Sequence, residues 1–545
     1  MNRRTALKST LGLLPALSLS NIALGSIADQ ITRKGPFLPT WKSLEQFQTP
    51  NWFKDAKFGM WAHWGPQCQP EAGDWYARGM YQEGSHQYNY HLKKYGHPSK
   101  FGFKDVIHEW KAENWDPEEL VALYKQAGAQ YFMAMANHHD NLDLYNSKHQ
   151  PWNSTKVGPK KDIIGGWEKA ARRQGLPFGV SVHAAHAWSW METAQRSDKQ
   201  GPYKGVPYDG NVTKADGKGK WWQGMDPQEL YAQNHPLSKN SWDDGMIHSQ
   251  WNWGNGVAKP TKAYCDKFLK RTIDLIDQYN PQFVYFDDTA LPLWPIDDAG
   301  LKIAAHLYNK NIDKDGNQQA IVFGKVLDEQ QRKCMVWDIE RGQSNAIEPL
   351  PWQTDTCIGD WHYNRAVYDR KGYKSAKMVI QTLVDVVSKN GNLMLNIPVR
   401  GDGSIDEQER AVVVEIGNWM KVNSEAIYGT RPWKVFGEGP AQEGAAPLSA
   451  QGFNEGKGKA FTSQDIRFTA KGEALYATLM GWPDDKKVVV TSLASGKGLH
   501  TSPIRRVSLL GGNDSLSFEQ TNQGLVVQLP ENKPALSYAN VLKIV

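Results

Sequence analysis

Between about residues 55 and 430, short apolar runs alternate with amphipathic stretches of helical period. The runs at 57–63, 131–136, 177–182, 283–286, 320–323, 335–337 and 392–397 read as strands. Asp116-Pro117-Glu118-Glu119 opens a helix with an N-cap, a proline at the first helical position and acids in the first turn. Leu120, Val121, Leu123, Tyr124 and Ala127 give it a buried stripe, and Gly128 helps to end it. Further helices are expected over 162–174, 263–279, 299–310, 375–388 and 406–421. Repeated strand–helix alternation predicts parallel strands with crossover helices, and at this length an α/β fold closed as a (β/α)8-like barrel over residues 40–432. Beyond 432 the helical period stops. Short β-prone runs at 474–480, 487–491, 525–529 and 541–545, separated by turn residues, predict a C-terminal antiparallel β-sandwich over 433–545.

Two segments break the pattern. Residues 190–256 are rich in Gly, Lys, Asp and Trp, among them Trp221, Trp222, Trp242, Trp251 and Trp253. A loop of this length with so many aromatics reads as an insertion over the active-site face. At the other extreme, residues 1–28 carry Arg3-Arg4, then a short apolar stretch from Leu11 to Leu24, then small residues at cleavage spacing. This has the form of a twin-arginine-like export signal, placing the mature protein in the periplasm or outside the cell. The apolar stretch is interrupted by Pro15 and serines, and no membrane span is expected after its removal.

Composition narrows the function. A net charge of +5 over 545 residues, spread along the chain, gives no basic stripe for nucleic acid. The 23 Trp and 21 Tyr fill a large core and also suit the C–H faces of sugar rings. Cys68, Cys265, Cys334 and Cys357 show no paired metal spacing and are expected as free thiols.

Barrel chemistry sits at the C-terminal ends of strands. There the sequence places His63, His138-His139-Asp140, His183, His186, Asp287-Asp288 and Glu340. No HxH or HExxH zinc motif occurs, and adjacent histidines on a regular strand face opposite sides, so neither a metal nor a cofactor is expected. A serine-nucleophile elbow is absent too. Two carboxylates remain, the minimum machinery of a retaining glycosidase.

At these positions the chain resembles the α-L-fucosidases, glycoside hydrolase family 29. The resemblance is carried by Phe58-Gly59-Met60-Trp61-Ala62-His63-Trp64-Gly65, Asp74-Trp75-Tyr76-Ala77-Arg78-Gly79-Met80-Tyr81 and Asn137-His138-His139-Asp140. Phe283-Val284-Tyr285-Phe286-Asp287, Asn390 to Ile397 and Ile427 to Trp433 continue it in order. It implies a retaining exo-hydrolase that releases terminal α-L-fucose from oligosaccharides or polysaccharides. Asp287 would be the nucleophile, and strand alternation would turn Asp288 away from the pocket. Glu340, following the next suitable strand, is the expected acid/base, with Asp74 and Glu348 as alternatives. His63, Asp74, Trp75, His138, His139, Tyr285 and Trp361 would contact the sugar.

Three departures bear on specificity. Lys325 stands where the family has a sugar-binding arginine and would contact the sugar in its place, Ser181 and Val182 replace tyrosines, and Asn141 replaces a glycine. An α-L-galactoside, a sulfated or otherwise decorated fucan, or a non-catalytic carbohydrate-binding role are the alternatives these changes leave open.

Overall fold

The computed structural model describes residues 31–232, 235–442, 453–512 and 514–545. The stretch read as an export signal lies outside the described residues.

Eight parallel strands close a barrel in chain order. They are β1 (Phe58–Ala62), β2 (Tyr131–Asn137), β3 (Phe178–Val182), β4 (Phe283–Thr289), β5 (Ile321–Lys325), β6 (Val336–Glu340), β7 (Trp352–Cys357) and β8 (Gly391–Asn396). The closing pair sets Met60 against Leu395, while Met60 also faces Phe132 on β2. Two glycines let aromatic rings fill the interior. A Cβ on Gly59 would come within 2.5 Å of the Tyr131 ring, and one on Gly179 within 2.1 Å of Phe283.

The principal crossover helices are α1 (Pro117–Gln126), α2 (Ile163–Arg173), α3 (Lys262–Tyr279), α4 (Ala299–Lys310), α5 (Ala376–Ser388) and α6 (Glu407–Asn423). Their starts follow side-chain chemistry. Asp116 accepts from the Glu119 amide at 3.0 Å, Asp162 from Gly165 at 3.0 Å, and Asp406 forms a capping box with Glu409.

Strand β7 has no counterpart in the apolar pattern. Gln353, Thr354, Asp355 and Thr356 are buried all the same, because neighbouring strands meet their polar groups. Tyr131 Oη donates to Gln353 Oε1 at 3.0 Å, and Gln353 Nε2 donates to Asp338 Oδ2 at 2.7 Å. Tyr285 Oη donates to Asp355 Oδ2 at 2.8 Å. Burial, then Asp355, pushes the Asp338 carboxyl well above the usual range, so this interior layer holds a proton as well as charge.

The C-terminal part forms two antiparallel sheets. Five strands, β9 (Arg431–Glu438), β10 (Ile466–Lys471), β11 (Ala474–Leu479), β13 (Val507–Leu509) and β16 (Asn540–Ile544), run in the order β13-β16-β11-β10-β9. Three more, β12 (Lys487–Val490), β14 (Phe518–Gln520) and β15 (Leu525–Gln528), run β12-β15-β14. Phe468, Leu479, Val490, Val527 and Leu542 meet between them. This unit is joined to the barrel through buried polar contacts. Asp385 on α5 takes Lys389 at 2.6 Å and Arg467 of β10 at 2.5 Å, and Trp419 Nε1 on α6 donates to the Ala539 carbonyl at 2.6 Å.

The 190–256 region is ordered by another buried cluster. Asp209 accepts from Tyr81 Oη at 2.6 Å, Tyr231 Oη at 2.7 Å and Lys104 Nζ at 2.7 Å. Trp222 is buried, whereas Trp242 is exposed. All four cysteines are free and buried. Among the described residues no helix is long and apolar enough to cross a membrane.

Candidate active site

A cavity with about 780 Å³ of empty space, partly open to solvent, lies at the C-terminal ends of the barrel strands. The end of β1 supplies Trp61 and His63, whose rings stack at 4.9 Å. His63 N–H donates to Asn396 Oδ1 at 2.8 Å, fixing this turn to β8.

Strand β2 loses regular register between Met135 and Asn137. Alternation therefore fails beyond it: His138 and His139 both turn inward, their nitrogens grouped with those of His183 within 4.8 Å. Asn137 Oδ1 accepts from the amides of His183 and Ala184, each at 3.1 Å, which sets the turn after β3 against this one. Asn141 has φ +69°, a left-handed conformation open to glycine and tolerated by asparagine, so its place in a glycine position follows from the backbone.

Strand β4 is likewise irregular between Tyr285 and Thr289, and both Asp287 and Asp288 border the cavity, contrary to strict alternation. Their carboxylates have different partners. Asp288 accepts from His186 Nε2 at 3.1 Å and the Thr289 amide at 2.8 Å and is buried. Asp287 presents Oδ2 to His139 Nε2 at 3.1 Å and to His183 Nδ1 at 3.3 Å. Its Oδ1 accepts from Lys325 Nζ at 2.8 Å. Burial works to raise its pKa, but Lys325 and the two imidazoles hold it well below the usual carboxylate range.

Lys325, at the end of β5, also donates to Glu340 Oε2 at 2.5 Å. One ammonium thus joins the two carboxylates, and its two oxygen partners lie no more than about 5.3 Å apart. Burial opposes the lysine's charge, but Asp287 and then Glu340 keep it protonated. Glu340 is pushed up to about 7 by burial, with Asp355 and Asp287 adding to the rise and Lys325 opposing it.

The remaining wall is aromatic and imidazole. Trp75 adopts a left-handed φ of +61° and stacks on His248 at 5.2 Å. Trp361 lies 5.3 Å from Trp61, and the Asp74 carboxylate accepts from the His362 amide at 2.7 Å. Among the described residues His63 has no hydrogen-bond partner on either ring nitrogen, nor has Trp61 Nε1. Burial pushes the pKa of His63 and His138 well down, and that of His183 to about 4, so these rings are neutral at pH 7. Two groups, His63–His138–His362 and His138–His139–His183, each bring three histidine rings together. A neutral imidazole offers one donor and one acceptor, which suits a ring of sugar hydroxyls, and it is also the form that ligates zinc-like ions.

Of the residues singled out in the sequence, His63, Asp74, Trp75, His138, Tyr285, Asp287, Lys325, Glu340 and Trp361 line this cavity, and His139 reaches it through Asp287. Glu348 does not. It accepts from Ser344 Oγ and Arg332 beside a separate hollow. The structure adds His248, Trp251, Asp355, His362 and Phe453 to the lining. Of these only Trp251 carried a signal, the aromatic density of its segment.

The family model described as alpha-L-fucosidase matches residues 25–425, and that for the alpha-L-fucosidase C-terminal domain matches 459–545. The tissue alpha-L-fucosidase of Homo sapiens is 25% identical over 538 residues, covering 96% of this chain and 94% of its own. That of Rattus norvegicus is 24% identical over 512 residues, covering 91% and 89%. The crystal structure of Thermotoga maritima alpha-fucosidase in complex with fucose superposes with a TM-score of 0.66 at 25% identity, covering 93% of this chain and 100% of that one. An eight-stranded barrel ending in a cavity of paired acids and neutral imidazoles, followed by two antiparallel sheets, is thus matched along nearly its whole length, and the chain belongs to the α-L-fucosidase family.

Proposed function

We propose that the protein is a retaining exo-α-L-fucosidase in which Asp287 is the nucleophile and Glu340 the acid/base. The observation that carries this reading is the shared ammonium of Lys325, which keeps one carboxylate ionised within about 5.3 Å of another whose pKa is about 7. Two carboxylate oxygens bridged by one ammonium fall short of the roughly 6.5–9.5 Å that inverting glycosidases leave for a water, which favours the closer pairing of a retaining one. Asp287 Oδ2 attacks the anomeric carbon while protonated Glu340 gives its proton to the departing glycosidic oxygen. Glu340 then takes a proton from water as that water displaces Asp287, so the product keeps its α configuration. His63, His138 and His362 hydrogen-bond the sugar hydroxyls, and Trp75 and Trp361 cover its apolar faces.

The substrates are fucosylated oligosaccharides or polysaccharides. The Arg3-Arg4 signal supports export to the periplasm or beyond. Replacing both arginines with lysine is expected to strand the protein in the cytoplasm on fractionation. One observation favours a second reading, an α-L-galactoside: Trp61 lines the cavity, and its unpartnered Nε1–H can donate to the oxygen of the added hydroxyl. Paired aryl α-L-fucoside and α-L-galactoside assays separate the two.

The deciding experiment is Asp287→Gly with an aryl α-L-fucoside. Turnover is expected to vanish and azide to restore it, giving the β-fucosyl azide. Wild-type activity in that variant would refute the assignment.

A further inference from the structure

Beside Lys325 and Glu340 the cavity rim carries two apolar side chains that the fold exposes at some cost. Val326 follows the end of β5 with φ +54°, and Phe453 has φ +41°. Each is 37% exposed and each borders the cavity. A positive φ is unfavourable for a β-branched or bulky residue, and such strain persists where the surroundings over-determine it.

Those surroundings are unusually specific for Phe453, which comes from the far side of the barrel's last helix in sequence. Its amide donates to the Glu340 carbonyl at 2.9 Å, and the Glu455 amide to the Arg341 carbonyl at 2.9 Å. Asn454 Oδ1 accepts from the Gln343 amide at 2.8 Å. The Glu455 carboxylate accepts from Thr356 Oγ1 at 2.8 Å and from Lys374 Nζ at 2.6 Å. Residues 453–455 are therefore sewn to the ends of β6 and β7, and the seam starts on the residue proposed as acid/base. None of these bonds uses the phenyl ring, and the residue stays partly exposed on the cavity lining.

We propose that Phe453, together with Val326 on the same cavity, is the leaving-group subsite: a platform for the apolar face of the pyranose that bears the fucose. This rests on the reading of Glu340 as acid/base. A proton donor must touch the glycosidic oxygen, so the group beyond that oxygen has to lie next to Glu340 on its solvent side. A part-exposed phenyl whose own backbone amide is bonded to the Glu340 carbonyl, on the same cavity, suits that place. The ligand class follows from the surface, which offers a flat aromatic face and a branched aliphatic group: a hexopyranose with axial C–H groups on one side, such as a galactoside.

The test compares kcat/KM for a fucosyl-galactose disaccharide with kcat/KM for α-L-fucosyl fluoride, which carries no leaving-group sugar. In Phe453→Ala the ratio of the two is expected to fall roughly five- to tenfold, the range of one lost aromatic contact, chiefly through KM for the disaccharide. Phe453→Trp, which keeps a flat face, is expected to retain the ratio. An unchanged ratio in Phe453→Ala would overturn the subsite while leaving the fucosidase reading in place. Failure of the wild-type protein to turn over either substrate would overturn that reading, and the subsite with it.

Discussion

Replacing Lys325 with methionine keeps most of the side-chain volume and removes the one charge held by both carboxylates. The ammonium lies 2.8 Å from Asp287 and 2.5 Å from Glu340, and it lowers the pKa of each. Without it both groups hold their protons to higher pH. Asp287 must be ionised to attack, so the acid limb of the kcat/KM profile moves up. Glu340 must be protonated to assist departure, so the alkaline limb moves up from about 7 in the native enzyme. A single opposite charge at this range commonly commands one to three pH units, and a displacement of about that size is expected for the Glu340 limb. Asp287 retains its two imidazole partners but loses the donor to Oδ1. A drop in kcat/KM of roughly 10²–10³ at the new optimum is the expected cost of one such donor. The assay is a pH series with an aryl α-L-fucoside, repeated with a dinitrophenyl leaving group that needs no proton, for which the alkaline limb should disappear. Limbs that stay in place, or that move down, would refute the bridging role.

Glu340→Ala is expected to lose activity on alkyl and sugar fucosides by at least roughly 10²-fold, while dinitrophenyl fucoside turnover survives and azide yields the α-fucosyl azide; a β product would reassign the residue. Incubation with EDTA is expected to leave turnover unchanged, and a loss reversed by added zinc would place a working ion among the histidines. Arg271→Leu removes the partner of Asp143, paired at 2.7 Å with both groups buried, and is expected to cost about 3–5 kcal/mol in denaturant unfolding. The double variant Arg271→Leu with Asp143→Leu should recover part of that loss, and a single variant as stable as the wild type would sink the argument.

Strand β4 is legible because physics and pattern coincide there: four apolar residues from Phe283 to Phe286 buried in the barrel, then an acid at the C-terminal end. Strand β7 is not, because its side chains are polar yet buried, paid for by Tyr131, Tyr285 and Asp338 from other strands, and no local pattern records partners so distant. His362 lies just beyond β7 and was lost with it. Period-two reasoning placed His138 and His139 on opposite faces and turned Asp288 outward. It failed at two register shifts, in β2 and β4, which carry no residue signature of their own. Phe453 needed the chain to return more than 110 residues after Glu340, a closure that only the three-dimensional structure reveals.

The buried triad of Asp385, Lys389 and Arg467 has a consequence for anyone shortening this enzyme. Cutting the chain after the barrel would strip Arg467 and Ala539 from α5 and α6, leaving a buried acid one cation short and an indole N–H without its acceptor. The same cut would remove the segment tied to the Glu340 carbonyl. The rear sheets are therefore no detachable accessory: as a unit of inheritance or of engineering, the smallest working piece is the barrel with its sheets.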